Sequence, residues 1–161
     1  MPASLVTAAF VTALLASLLV KLWLATRQMR HVAAHRDSVP PAFAATVTLD
    51  AHRRAADYTL AKGRLGLVSI ALSAATLLAW TLLGGLDALN TALREALLPG
   101  WGPMAYQLAL LAAFTLIGSL IELPLEWIAT FRIEQRFGFN RMTPAMFLGD
   151  LAKSTLVGAL I

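Results

Sequence analysis

Apolar and polar residues alternate in long blocks along this chain. The first apolar block covers residues 3–25 and is interrupted by Lys21, the second covers residues 65–86, and the third covers residues 104–129. At about 1.5 Å per residue, each block forms a helix long enough to cross the roughly 30 Å hydrocarbon core of a bilayer. The pattern therefore predicts three complete transmembrane helices.

A fourth apolar block begins near Leu151 and reaches Ile161, where the sequence ends. It provides about 16 Å of helix, roughly half a crossing. We therefore expect an all-α, multi-pass membrane helical bundle with three complete transmembrane helices and the start of a fourth. Residues 1–161 are interpreted as one N-terminal membrane domain of a longer polypeptide.

The first block also has some features of a cleaved signal peptide. However, no Lys or Arg precedes it, and it is long for the apolar region of such a peptide. The membrane-helix interpretation is therefore favoured.

Between the first two blocks lies a polar, basic segment, residues 26–64. Pro40 and Pro41 divide it, because proline lacks an amide hydrogen and restricts the preceding residue. A mostly polar helix is predicted over residues 49–62, with Thr48 as its N-cap. In the second block, Ser69 and Ser73 form a face of small residues that another helix can approach closely.

The link over residues 87–103 carries little positive charge. Four leucines at helical spacing predict a short helix on the membrane surface: Leu86, Leu89, Leu93 and Leu97. Lys and Arg concentrate instead in residues 26–64 and 130–150, which are expected to be cytoplasmic because short basic loops stay on that side. The N-terminus is then outside, and in a bacterium the membrane is the inner (plasma) membrane.

Composition supports a membrane location. The 161 residues are 58% hydrophobic and 14% charged, which leaves too little polar surface to cover a globule in water. The net charge of +4 comes from basic residues in the loops, so the bilayer and its headgroups are the expected partner, and nucleic acid is not. Cysteine is absent, which excludes disulfides and cysteine-ligated metal.

The motif HVAAH places His31 and His35 on one helical face, the spacing found in the zinc motif H-E-x-x-H. Val32 stands where the motif needs glutamate, and the sequence offers no evident third ligand. Two histidines in a basic helix next to the membrane are the simpler interpretation. No catalytic or metal-binding residue, and no cofactor, is therefore assigned within this chain.

Glu122 and Glu126 also share a helical face, near the end of the third block, with Pro124 between them. Carboxylates deep in a membrane helix usually face a cavity or a partner, but near the boundary their penalty is small. Cavity-facing carboxylates and simple interfacial solvation both remain open. Pro124 is expected to kink the helix.

The segment after the third block, residues 123–151, combines charged and aromatic residues with turn signals. Gly138 suits a backbone conformation that other residues resist, and Asn140 suits a turn or a cap. Thr143 followed by Pro144 suits the start of a helix. The segment therefore predicts a structured turn that joins two membrane helices.

This segment resembles the N-terminal membrane domain of type I CAAX prenyl endopeptidases and their bacterial relatives. The residues that carry the resemblance are Leu123, Pro124, Thr130, Phe131, Glu134, Gly138, Phe139 and Asn140, followed by Thr143. Residues 55–67, AADYTLAKGRLGL, are also similar to the family's approach to its second helix. These family-motif residues are expected to have structural or substrate-access roles.

The resemblance implies a bundle of membrane helices around a large chamber, with zinc held by H-E-x-x-H and a downstream glutamate. Zinc is thus implied for the full-length protein, whereas this chain lacks the motif and is expected to be inactive by itself. The implied partners are the C-terminal catalytic half and a peptide or prenylated substrate. The alternatives are a small membrane scaffold or interaction protein without protease activity, and a transport protein, which would need more deeply placed polar residues.

Overall fold

The computed structural model describes residues 2–160 as a helical chain. The four main helices are α1 (Ala3–Ala34), α2 (Leu49–Thr81), α3 (Gly85–Ile128) and α4 (Pro144–Leu160), with a 3₁₀ turn at Pro41–Phe43, a π-helical segment at Ala129–Glu134 and a last helical turn at Gln135–Phe137. Three stretches are long and apolar enough to cross a membrane: Ser4–Ala34, Leu49–Thr81 and Gly85–Phe137. The all-α membrane fold is confirmed.

The chain forms two compact units, one ending at Leu78 and the other beginning at Ala79. In the first unit, α1 continues nine residues beyond the apolar block that predicted it and ends at Ala34. The polar helix expected over residues 49–62 and the second apolar block are one continuous helix, α2. Helices that cross a bilayer can project beyond it, so an apolar block sets only a minimum length.

The end predicted for the second membrane helix, residue 86, is wrong, because α2 ends at Thr81. Three residues later, Gly84 precedes α3 in the left-handed conformation, with φ 78° and ψ 13°, which glycine adopts at low cost. The start of α2 follows the prediction: the Ala51 amide donates to Thr48 Oγ1 at 3.2 Å, so Thr48 is the N-cap.

Helices α1 and α2 approach each other closely at Gly63. A Cβ atom built there would lie 2.8 Å from both Cγ and Sδ of Met29, so the absence of a side chain permits the contact. Ala56, 6% exposed, lies two turns earlier on α2. Ser69 and Ser73, expected at a close helix contact, instead line a cavity against α1, so the tight contact lies nearer the loop than predicted.

α3 consists of two helical parts that meet at Gly102, whose φ of 80° and ψ of 176° are not helical. The Tyr106 hydroxyl donates a hydrogen bond to Asn90 Oδ1. Sixteen residues of straight helix would separate these two by about 24 Å, so the chain reverses direction at Gly102. The leucine spacing correctly predicted a separate helix before this turn. Its position on the membrane surface stays a prediction.

The second part of α3, residues 103–128, provides the third membrane helix of the chain. The ring of Phe114 lies 5.0 Å, centroid to centroid, from that of Trp80 near the end of α2. This aromatic contact fastens the end of the second membrane helix to the middle of the third. The second unit is therefore held by side-chain contacts as well as by chain connectivity.

Candidate functional site

The segment between α3 and α4 contains the family-motif residues and has an unusual backbone. The helix widens into π-helical geometry over Ala129–Glu134, which includes Thr130, Phe131 and Glu134. Short π-helical segments are rare and occur frequently at functional sites. Pro124 lies inside α3, where the backbone angles stay helical, and the kink expected there stays a prediction; the irregularity follows five residues later.

Gly138 ends this helix in the left-handed conformation, with φ 79° and ψ 16°. The amides of Phe139 and Asn140 both donate to the carbonyl oxygen of Glu134, at 2.9 and 3.2 Å. The amide of Gly138 donates to the Gln135 carbonyl at 3.2 Å. A left-handed glycine that turns the following amides back onto the last helical carbonyls is a common helix end. The prediction for Gly138 is confirmed.

Two side chains then start the next helix. Asn140 Oδ1 accepts a hydrogen bond from the Met142 amide at 2.6 Å, which closes a turn. Thr143 Oγ1 accepts one from the Met146 amide at 3.2 Å and thereby caps α4, whose first residue is Pro144. The helix thus begins seven residues before Leu151, where the fourth apolar block was placed. The start signal at Thr143–Pro144 was the correct one.

An aromatic cluster fastens α4 to the end of α3. The cluster consists of three rings. The centroids of Trp127 and Phe131 are 4.3 Å apart, and the centroid of Phe147 lies 5.6 Å from each of them. Both contacts of Phe147 are edge-on, a preferred geometry for aromatic pairs. Of these rings, the family motif contains only Phe131. The spacing of Trp127 and Phe131, four residues apart on one helical face, was the available signal.

The other motif side chains are more open. Phe139 is 63% exposed, and Arg132, Arg136 and Arg141 are also exposed. The side chains of Glu122 and Glu126 are exposed as well, although both lie in α3. Whether these carboxylates face a cavity or the interface therefore stays a prediction.

A network of charges, which the sequence analysis did not predict, joins the end of α1 to the start of α2. The Arg36 guanidinium holds Asp57 through two hydrogen bonds, Nε to Oδ1 at 2.7 Å and Nη2 to Oδ2 at 2.9 Å. Asp37 accepts from Arg36 at 3.2 Å and from Arg53 at 2.6 Å. Cations and anions alternate along the network. Asp57 accepts two hydrogen bonds from one arginine, and Asp37 accepts one from each of two arginines.

The pKa of Arg36 is raised above its ordinary value, chiefly by its hydrogen bonds to Asp57 and next by the charge of that carboxylate. The guanidinium is therefore charged throughout the physiological range, and the network does not titrate through this residue. His52 adds a further link, because its Nε2 lies 2.9 Å from the backbone oxygen of His35. These contacts join the two helices across the loop between them.

The two histidines of HVAAH stack on each other, with ring centroids 4.2 Å apart. His35 Nδ1 lies 2.9 Å from the His31 carbonyl oxygen, so this nitrogen makes a local hydrogen bond to its own helix. Within residues 2–160, no group of three or more His, Asp or Glu side chains is arranged to hold a metal ion. The described residues do not fit a zinc site.

The fold and this turn define a class: an α-helical membrane domain whose third membrane helix is joined to α4 by a motif-bearing turn. Residues 28–161 match the family model described as CAAX prenyl protease N-terminal, five membrane helices. The chain belongs to this family.

Three similar proteins are informative. The CAAX prenyl protease 1 of Saccharomyces cerevisiae is 33% identical over 51 residues, which are 32% of this chain and 11% of that protein. The probable CAAX prenyl protease 1 of Schizosaccharomyces pombe is 40% identical over 47 residues, 29% of this chain and 10% of that protein. The crystal structure of Ste24p from S. mikatae matches with a TM-score of 0.84 at 22% identity, covering 98% of this chain and 36% of that one. This chain spans about a third of that solved protein and shares its fold.

Proposed function

We propose that the protein carrying this chain is a membrane-embedded zinc metalloendopeptidase of CAAX prenyl protease type. In it, the chain forms part of the wall of an intramembrane chamber and of the substrate-access region. The observation that supports this proposal is the family match over residues 28–161, which includes the whole turn between α3 and α4. The fold shared with Ste24p agrees with it.

Zinc and the chemistry of peptide hydrolysis are assigned to residues outside this chain. The described residues lack a suitable ligand group, and HVAAH lacks the glutamate that activates water in H-E-x-x-H sites. Residues 1–161 therefore act as the N-terminal membrane domain and do not hydrolyse peptides alone. Their proposed partners are the catalytic half of the same protein and a peptide or prenylated substrate.

The motif residues are proposed to support the enzyme by their structure. Gly138, Asn140 and Thr143 each contribute a backbone angle or a hydrogen bond that shapes the turn. Phe131 belongs to the cluster that fastens α4. A turn built in this way can hold two membrane helices at a fixed angle while the catalytic half docks beside them. Glu122 and Glu126 are the carboxylates proposed to face the chamber.

The proposed orientation places residues 26–64 and 130–150 in the cytoplasm and the N-terminus outside. It rests on the concentration of Lys and Arg in these two loops. With this orientation, the charge network and the motif turn both lie on the cytoplasmic side.

The deciding experiment is to express the complete reading frame that encodes this chain and to measure cleavage of a prenylated C-terminal peptide. We expect cleavage that a zinc chelator abolishes, and no loss of cleavage in the double variant His31→Ala, His35→Ala. An unprenylated peptide of the same sequence tests whether the lipid contributes. A reading frame without H-E-x-x-H, together with absence of chelator-sensitive cleavage, would favour the scaffold or interaction protein instead.

A further inference from the structure

Between α1 and α2 lies a cavity of about 200 Å³ that neither the family motif nor the proposed chemistry uses. Four of its lining residues are polar: Ser17 and Lys21 from α1, and Ser69 and Ser73 from α2. The remaining five are apolar and include Leu18 and Leu77. The cavity is open on one side, so it is a groove that the surroundings of the helix pair can enter.

The groove lies next to a point where α1 and α2 are in close contact, and the helices separate from there. At Gly63 the two helices touch, since a Cβ atom there would lie 2.8 Å from Met29. Farther along α2, the small side chains of Ser69 and Ser73 leave the space between the helices unfilled. The groove is larger than the roughly 150 Å³ cavity that takes up a benzene molecule in an engineered protein. It therefore has room for part of a hydrocarbon chain.

Lys21 gives this groove a charge. Among the nine described residues that line it, none is acidic, so the lysine has no countercharge in the lining. Lys21 lines the groove on α1, one turn from Ser17. Six residues, about 9 Å of helix, separate Lys21 from Arg27 at the polar end of the apolar block. The flexible lysine side chain can extend its ammonium along the helix toward this polar end, which brings it within reach of lipid phosphates.

We propose that this groove binds one anionic phospholipid of the bilayer, with its phosphate against Lys21 and part of an acyl chain along the apolar lining. Charge complementarity selects this occupant, because a cation between membrane helices attracts an anionic headgroup more strongly than a zwitterionic one. The serine hydroxyls of the lining supply hydrogen bonds to phosphate or glycerol oxygens. The lipid would also fill the space that the serines leave between the two helices.

The test is native mass spectrometry of the protein after incubation with phosphatidylglycerol or phosphatidylcholine. Lys21→Gln removes the charge, and Ser73→Leu fills the groove while the charge remains. Arg94→Gln, which removes an exposed cation outside the groove, is the matched control. We expect one retained phosphatidylglycerol, bound about fivefold more weakly by Lys21→Gln, an effect typical of one basic residue near a membrane surface. Ser73→Leu should lose it, whereas Ser73→Ala and Arg94→Gln should keep it.

Several results would overturn the proposal. Equal retention by all four variants would mean that the groove is empty of lipid or is closed by another helix. Equal retention of phosphatidylcholine and phosphatidylglycerol would mean that Lys21 does not select the headgroup. Complete displacement by glycerol phosphate would mean that only the headgroup binds. Circular dichroism of each variant separates loss of lipid from loss of helix. None of these outcomes depends on protease activity.

Discussion

Replacement of Gly138 by alanine gives the sharpest test of the turn between α3 and α4. No heavy atom outside the immediate chain lies within 4 Å of a Cβ atom built there, so alanine meets no steric obstacle. The cost of the substitution therefore comes from the backbone. Gly138 has a φ of +79°, and this left-handed conformation costs a residue with a Cβ atom roughly 1–2 kcal/mol. Alanine also reduces the conformational entropy of the unfolded chain, which stabilises the folded state by about 0.4–1 kcal/mol and offsets part of this cost. The expected net loss is on the order of 1 kcal/mol.

Gly149 is the matched control for this substitution. It lies inside α4, and a Cβ atom there also has no neighbour within 4 Å. Because its conformation is helical, Gly149→Ala should stabilise the protein by up to about 1 kcal/mol. The two substitutions make the same chemical change and should shift the free energy of unfolding in opposite directions, about 2 kcal/mol apart. Gly138→Asn should lose less than Gly138→Ala, because asparagine tolerates the left-handed conformation.

The assay is equilibrium unfolding in mixed micelles, followed by circular dichroism and by tryptophan fluorescence. Trp127 lies in the aromatic cluster beside the turn, so with the other three tryptophans replaced by phenylalanine its fluorescence reports local loosening even where the helices remain. Equal shifts for the alanine variants of both glycines would refute the argument. It would mean that the turn is not held in the left-handed conformation in the folded protein.

Four further predictions follow from the structure. A cysteine at Ser38 should be labelled from the cytoplasmic side alone, and labelling from outside intact cells would reverse the orientation. A purified, chelator-washed polypeptide of residues 1–161 alone should contain no stoichiometric zinc; zinc that disappears on replacing His31 and His35 by alanine would contradict this. Asp57→Asn should lower the midpoint of thermal unfolding. The loss should be smaller in 1 M salt than in low salt, because the Debye length falls to about 3 Å there and the ion pair is screened. An equal loss at low and high salt would exclude a charge effect. Asn140→Ala should cost about 1 kcal/mol, whereas Asn140→Asp, which keeps the acceptor, should cost less.

The membrane helices were predictable because lipid imposes a simple requirement on the sequence. A spanning helix needs about 20 mostly apolar residues, and three such blocks stand out without any knowledge of tertiary contacts. Local signals were equally reliable where they act through the adjacent backbone. Thr48 and Thr143 were each assigned to the start of a helix, and Gly138 was assigned a backbone conformation that other residues resist; all three predictions are confirmed.

Features that depend on residues distant in sequence were not predictable in this way. Arg36 and Asp57 are 21 residues apart, and only the packing of α1 on α2 brings them together. Phe147 reaches Trp127 because the intervening turn has a particular shape, which no spacing rule expresses. The end of α2 was misplaced for a related reason: Leu82 and Leu83 are as apolar as the helix before them, and hydrophobicity alone does not show where the helix stops.

The π-helical segment at Ala129–Glu134 has a consequence for chain length. Each residue of an α-helix turns the chain by about 100° around the helix axis. A π-helical turn holds one more residue than an α-helical turn, so it changes the direction in which the following chain leaves the helix. Removing a single residue from this segment would restore ordinary helix and rotate the following turn to another side of α3. Phe147 could then no longer reach Trp127. The segment thus determines the side of α3 from which the chain continues to α4. A one-residue deletion there should destabilise the protein more than any single substitution within the segment.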